Sequence, residues 1–217
     1  MLQTLIRRRP TRPDLAIDLG TARTKVLADG SDIVFDEPSL CCFKAYDAVP
    51  AFVAAGLEAE RFVGRVSKPL KMVSPLHNGV VSDMDAAREL IRYAIRQVRP
   101  KRALTRVRAL FGVPADASAA ERRALIGAAM DAGISDPEVL PEPILAAAGA
   151  GLDIDTPRGR MIIDCGAGVT EAVVISLGGI CAAASRRGGG DELTRSIVDH
   201  FRTERRFRIG FATAEKL

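Results

Sequence analysis

Tryptophan is absent, aromatic side chains make up 5% of the chain, and only two histidines occur. A core must therefore rest on Ala, Val, Leu and Ile. The four cysteines (Cys41, Cys42, Cys165 and Cys181) show no CxxC spacing. With so few histidines they support neither a zinc site nor a disulfide framework, and a reducing cytoplasm is the simplest setting. No apolar run reaches the roughly 18 residues that a membrane span requires. The N-terminus places Leu2, Leu5 and Ile6 ahead of Arg7-Arg8-Arg9, the reverse of a secretory signal, in which charge comes first. No Gly-x-x-x-x-Gly-Lys-Ser/Thr run occurs, and Gly166-x-Gly168 leads into a strand pattern rather than a helix. Those two absences argue against P-loop and Rossmann phosphate sites.

What is present is a globular composition. The 217 residues are 47% hydrophobic and 27% charged, enough for one large domain or two small ones with a real core. The net charge is +4, with basic excess in the N-terminal run, around Arg99 to Arg108, and from Arg202 to Arg208. Such clusters can suit nucleic acid. Solvated helix faces and loops are the simpler reading, and no nucleic-acid partner is expected.

Leu15 to Asp18 reads as a buried strand, Leu19 to Arg23 as a turn, and Thr24 to Ala28 as a second strand. Asp29-Gly30 predicts another turn, Ile33 to Phe35 a strand, and residues 39–45 a further one. Tyr46 to Ala55 is apolar but contains Pro50, which predicts a loop. Asp85 to Val98 carries Leu90, Ile91, Ala94, Ile95 and Val98 at helical spacing. Val107 to Val113 reads as a strand ending at Pro114. A helix follows from Ser118 to Ala132, with Ser118 as N-cap, Glu121 at the capping-box position and Gly133 closing it. Val139-Leu140 is a short strand, and Glu142-Pro143 opens an Ala-rich helix. Strands alternating with helices predict an α/β fold.

One pattern occurs twice. Met161 to Asp164 is a strand ending in Asp, as Leu15 to Asp18 is, and each leads through a Gly-rich turn into a second strand. Such a turn exposes successive backbone N–H groups that bind anions. An Asp at the strand end can hold Mg²⁺ through water, since that ion keeps several waters and needs few carboxylates. Two facing hairpins would grip a polyphosphate from both sides. Asp18, Gly20, Thr21 and Thr24 form one jaw, with Lys25 in reach of a phosphate. Asp164, Gly166, Gly168 and Thr170 form the other. Either turn alone is a weak signal; the shared Asp makes the pair stronger.

These residues resemble a known family. Asp18-Leu19-Gly20-Thr21-Ala22 looks like the first phosphate loop of the actin, hexokinase and heat-shock-chaperone superfamily, and Asp164-Cys165-Gly166-Ala167-Gly168 like the second. Nearest are the MreB-type bacterial actins, from about Asp14 to Leu217. The ordered matches include Glu37-Pro38-Ser39, Asn78-Gly79-Val80-Val81, Glu121-Arg122-Arg123, Gly189-Gly190-Asp191 and Ala212-Thr213-Ala214-Glu215. The resemblance implies duplicated actin-like (ribonuclease-H-like) α/β domains, the second lobe incomplete. Residues 14–144 would form the first lobe and 145–217 the start of the second, after a flexible basic segment, 1–13. It implies ATP and Mg²⁺ between the lobes, the ion held through water by Asp18 and Asp164. Gly20, Thr21, Ala22, Arg23, Lys25, Gly166, Ala167, Gly168, Val169 and Gly190 would meet the nucleotide. Glu142 and Thr170 take the catalytic positions, Glu142 positioning or deprotonating the attacking water. By itself Glu142 reads only as a helix N-terminal charge.

The family pattern also implies a cytoskeletal role in cell shape, through filaments of the chain itself or of full-length MreB. These would lie in the cytoplasm or at the inner membrane face, with membrane proteins of cell-wall synthesis as further partners. Met1 to Arg9 suits an anionic surface, each Arg contributing on the order of 1 kcal/mol; a disordered tail is the alternative. The segment Val49, Pro50, Ala51, Phe52 and Val53 either touches membrane or packs normally. Three departures bear on function. The second loop normally reads Gly-Gly-Gly-Thr-Thr, and here Ala167 and Val169 intervene. Val169 replaces a Thr that orients the catalytic water, and its methyls cannot hydrogen-bond, so at most a weak ATPase is expected. Arg23 replaces an Asn. Family members continue past the Ala-Thr-Ala-Glu segment, so an open edge and an uncovered apolar face are expected in the second half. The alternative function is a hydrolysis-deficient, shortened paralogue that modulates full-length filaments.

Overall fold

The computed structural model describes residues 13–28, 32–44, 50–65, 69–98 and 106–217. The basic N-terminal segment through residue 12, the turn expected at Asp29-Gly30, Val49, and the basic cluster from Arg99 through residue 105 lie outside the described residues.

Strand β1 (Leu15–Leu19) organises the molecule. Leu15, Ile17 and Leu19 are buried, whereas Ala16 and Asp18 are not, as a strand's two-residue period dictates. On one side β1 pairs antiparallel with β2 (Arg23–Ala28), which pairs antiparallel with β3 (Asp32–Pro38). On the other it runs parallel to β9 (Arg108–Val113), itself parallel to β10 (Asp136–Pro141). The sheet order is β10-β9-β1-β2-β3. Helix α2 (Met84–Val98) carries the chain from the antiparallel half to β9, and α3 (Ala119–Asp131) links β9 to β10. Both helices pack on one face of the sheet. Ala86, Ala87, Leu90, Ile91 and Ala94 of α2, with Leu125, Ala128 and Ala129 of α3, join Leu15, Ile17, Phe111 and Ile134 in a single core. Each large aliphatic or aromatic side chain buried there stabilises the fold by about 1.5–3 kcal/mol.

A small sheet, β5-β4-β6, branches from β3. Its strands are β4 (Cys41–Lys44), β5 (Ala51–Ala55) and β6 (Leu70–Val73), with α1 (Gly56–Glu60) following β5. Ala51–Ala55 is thus a strand, not the loop that Pro50 predicted. Pro50 lies just before the first paired residue, so its missing N–H removes no ladder bond. Phe52 and Val53 are partly exposed, and the Phe52 ring meets Phe43 edge-on at 5.9 Å. A two-residue hairpin joins β7 (Leu76–His77) to β8 (Val80–Val81). Asn78 and Gly79 both adopt positive φ there, +50° and +78°, the signature of a type I′ turn.

The chain then enters α4 (Glu142–Gly149) and an antiparallel meander of β11 (Arg160–Cys165), β12 (Val169–Ser176) and β13 (Gly179–Arg187). One face of this second sheet packs on α4 through Ala147, Ile154, Val173 and Ile175, with Ile144, Leu152 and Ile162 partly buried around them. Helices α5 (Gly190–Glu204) and α6 (Phe211–Ala214) follow. Thr194 is the buried residue of α5, while Leu193 stays exposed. No described helix is long and apolar enough to cross a membrane.

Candidate functional site

The face of the first sheet opposite its core is the floor of a cleft. A cavity of about 540 Å³ lies there, lined by Ala16, Asp18, Lys25, Leu27, Leu110 and Gly112 from the sheet and by residues of both Gly-rich turns. The two turns share a backbone bond. Gly20 N–H donates to the Arg23 carbonyl at 3.1 Å, and Gly166 N–H to the Val169 carbonyl at 2.9 Å. Each bond closes the turn just after the strand-end Asp. The first turn is braced from behind, where Ser39 Oγ donates to the Gly20 carbonyl (2.6 Å) and lies 2.8 Å from Thr24 Oγ1. The second is strapped by the stretch after β13. Gly188 N–H donates to the Gly168 carbonyl, Gly190 N–H to Gly166, and Asp191 N–H to Ala167, at 2.8, 3.1 and 3.0 Å.

The turns meet at one point. Thr21 Oγ1 accepts a hydrogen bond from Gly79 N–H at 3.0 Å. Gly168 lies so close that a Cβ would collide with Thr21 Oγ1 and stand 2.9 Å from Gly79 N. Glycine here is a matter of space. Arg187 ties the second sheet to the first. Its NH2 and Nε donate to the two Asp116 carboxylate oxygens at 2.6 and 3.3 Å, and its NH1 donates to the Asn78 carbonyl at 2.9 Å. Bidentate guanidinium–carboxylate pairs fix orientation as well as distance. Glu171 Oε1 adds a second tie by accepting from Ala115 N–H at 2.9 Å.

Carboxylates dominate the cleft's electrostatics. Burial pushes the Glu142 carboxyl up to about 8, with Asp18, Glu171 and Asp164 adding to the rise and Arg187 opposing it. Asp18, exposed only to the cleft, is likewise raised, chiefly by desolvation between the cleft walls; Lys25 opposes and Asp164 adds. Glu171 is raised by burial against the Ala115 N–H bond. Gly112 gives Glu142 its room, since a Cβ there would stand 2.7 Å from Glu142 Cγ. Among the described residues no three His, Cys, Asp or Glu side chains form a metal-binding group. The donor set does fit a divalent cation that keeps its waters and shares a polyphosphate's charge: two strand-end carboxylates line one cavity, and the Asp164 charge helps raise the proton affinity of Asp18.

Most of the residues singled out in the sequence line this cavity. Asp18, Gly20, Thr21, Ala22, Arg23 and Lys25 line it from the first hairpin. Asp164, Gly166, Ala167, Gly168 and Val169 line it from the second, and Glu142 from α4. The Arg23 head group is held by Asp36, with Nε 2.7 Å from Oδ1 and NH2 donating to the Asp36 carbonyl at 2.8 Å. Three residues are placed elsewhere. Thr24 is buried behind the first turn against Ser39. Thr170 is not among the lining residues, because strand alternation sets it on the face opposite Val169 and Glu171. Gly190 braces the second turn through its N–H rather than lining the cavity. Glu171 and Gly79 do line it, and neither was singled out for the site. A lone charge in the alternating strand VTEAVVIS marks Glu171, and an Asn-Gly pair between apolar residues marks the turn at Gly79.

Comparison with known proteins fits this geometry. Residues 12–217 match the sequence model of the family described as MreB/Mbl protein. The cell shape-determining protein MreB of Pasteurella multocida (strain Pm70) is 38% identical over 207 residues, which are 94% of this chain and 59% of that protein. The cell shape-determining protein Mbl of Bacillus subtilis (strain 168) is 32% identical over 204 residues, 94% of this chain and 61% of that one. The chain thus spans about three fifths of the length of the curated relatives it matches. Among solved structures, MreB5 of Spiroplasma citri bound to AMPPNP superposes with a TM-score of 0.84 at 32% identity, covering 96% of this chain and 62% of that one. The MamK double helical filament, 23% identical with a TM-score of 0.73, shares the fold. The fold is actin-like, its second lobe present in part, and the chain belongs to the MreB/Mbl family of actin-like cell shape-determining proteins.

Proposed function

We propose that the cleft binds ATP with Mg²⁺, and that the chain acts as an MreB-type cytoskeletal module in cell-shape determination. The observation that carries this reading is the repeated hairpin: two turns closed by the same backbone bond, each after a strand-end Asp, face one cavity. Their N–H groups suit phosphate oxygens. Asp18 and Asp164 would hold the ion through water, Lys25 would balance phosphate charge, and Glu142 would position the attacking water, accepting its proton once a bound cation's charge favours the ionised carboxylate. Such an ion, when bound, would supply charge neutralisation at the phosphoryl groups. The relative MreB5 bound to AMPPNP supports the nucleotide assignment. Residues 14–144 serve as the first lobe and 145–217 as the start of the second. Assembly with itself or with full-length MreB, at the inner membrane face, completes the reading and rests on family membership.

A second reading is a module that binds nucleotide without turning it over. Val169 favours it. Its side chain is buried against Gly79, where it presents methyls and no hydroxyl to the cleft.

Calorimetry of Mg²⁺·ATP with the folded chain tests the proposal, with Asp18→Ala as control. Binding weakened at least about tenfold in the variant supports a working cleft, since one charged contact is worth about that much. Absence of binding at millimolar nucleotide overturns the reading. Binding with no phosphate release selects the second.

A further inference from the structure

Four charged side chains share one face of the first jaw. Register sets Asp18 of β1 beside Lys25 of β2, and Lys25 beside Asp36 of β3. Arg23 stands two residues along β2 from Lys25, so it points to the same side. Asp18, Lys25 and Arg23 line the cavity, whereas Asp36, one strand further out, does not. Asp36 nevertheless holds the Arg23 head group at the rim. Nε donates to Asp36 Oδ1 at 2.7 Å, and NH2 donates to the Asp36 carbonyl at 2.8 Å. The two side chains are 49% and 41% exposed. An ion pair this open to water contributes little and separates at little cost. The Arg23 backbone is fixed by contrast, since its carbonyl closes the first turn by accepting from Gly20 N–H. A rigid base thus carries a cationic head group on a weak tether beside the cavity. The Asp36 charge also reaches inward, where it adds to the raised proton affinity of Asp18.

A polyphosphate in the cavity competes with Asp36 for that head group. A guanidinium pairs with phosphate through two parallel N–H···O bonds, as it does with carboxylate. With one divalent cation shared, a triphosphate keeps more uncompensated charge than a diphosphate and attracts the guanidinium more strongly. We propose that Arg23 is an exchangeable phosphate ligand and Asp36 its resting partner, so that a nucleoside triphosphate draws the guanidinium off Asp36 and a diphosphate leaves it there. Arg23 thereby selects the triphosphate. Asp36 touches no ligand and acts through Arg23, as a positioning residue. The inference rests on the cleft binding nucleotide and adds how the site distinguishes the two charge states. A static cross-strand pair would instead brace β2 against β3, and removing it would only loosen the first jaw. The exchange and the brace predict effects of opposite sign at Asp36.

Calorimetric titration of the full 217-residue chain with Mg²⁺·ATP and with Mg²⁺·ADP tests the exchange. Asp36→Asn keeps the side chain's size and removes the resting charge. It should tighten ATP binding about two- to fivefold, the worth of an exposed ion pair. Arg23→Gln should weaken ATP binding at least about tenfold, as loss of a charged hydrogen bond does, and ADP binding much less. In the Arg23→Gln background, Asp36→Asn should lose most of its gain. Arg23→Lys, a point charge without the fork, should bind ATP between the unaltered chain and Arg23→Gln. Circular dichroism checks that the variants fold, and both positions are exposed. Weaker ATP binding in Asp36→Asn overturns the proposal and marks a brace. An equal gain with and without Arg23 overturns it in favour of a general field effect. Equal losses of ATP and ADP in Arg23→Gln overturn the selectivity. If the unaltered chain binds neither nucleotide, the cleft reading falls and the exchange with it. If the unaltered chain binds and the variants bind alike, the exchange alone falls.

Discussion

At the scale of single residues, Glu142 holds the most unusual position. In the fold it keeps its proton up to about pH 8, whereas an ordinary Glu loses it near 4.5. The folded state therefore binds this proton more tightly than the unfolded chain does. The stability so gained is complete below about pH 4.5 and is lost as pH rises to about 8. Asp18 and Glu171, also raised, act in the same direction. The melting temperature of the nucleotide-free chain should accordingly fall between pH 5 and 8. Glu142→Gln should flatten that fall and raise stability at pH 8. Parallel profiles for the two proteins would remove Glu142 as the cause.

At the scale of elements, α3 shows how local chemistry fixes a boundary. Ser118 Oγ accepts from Glu121 N–H at 3.2 Å, and Glu121 Oε2 accepts from Ser118 N–H at 2.7 Å. Those reciprocal bonds satisfy two of the helix's free donors and hold the Glu121 carboxyl below its usual range. Ser118→Ala should cost about 1 kcal/mol in urea unfolding; a cost within a few tenths would mean that water replaces the cap at no loss. This box could be read from Ser118 and Glu121 alone, and the hairpins from their repeated strand, Asp and glycine. Other elements were hidden for physical reasons. β13 is Ala-rich and mostly exposed, so neither propensity nor alternation marks it; its ladder with β12 decides. β5 was masked by a proline that precedes its first pair. In the cleft, the Gly turns and Glu142 were legible, because backbone exposure and helix starts follow from local sequence. Thr170 and Glu171 could not be placed from the sequence, because parity along β12 is set by which face α4 covers.

At the scale of the whole molecule, the two sheets differ in support. The core of the first joins five strands to two long helices. That of the second rests on Ala147, Ile154, Val173 and Ile175 with α4. Amide hydrogen exchange should show this difference. β1 and β9 should be the most protected, and β11, with α5, should open well below the global unfolding free energy. Uniform protection across both sheets would mean that Arg187 and Glu171, which tie them together, make them one cooperative unit.

The same asymmetry has a mechanical meaning for the cleft. Asp18 rides on a strand flanked on both sides, whereas among the described residues Asp164 rides on one flanked on a single side. The first jaw is a fixed stop and the second a spring. Whatever closes on both hairpins deflects β11 and leaves β1 in place, and Arg187 at the end of β13 passes that deflection to Asp116 and Asn78. Departure of whatever bridges the two hairpins would then register as recoil of the softer jaw.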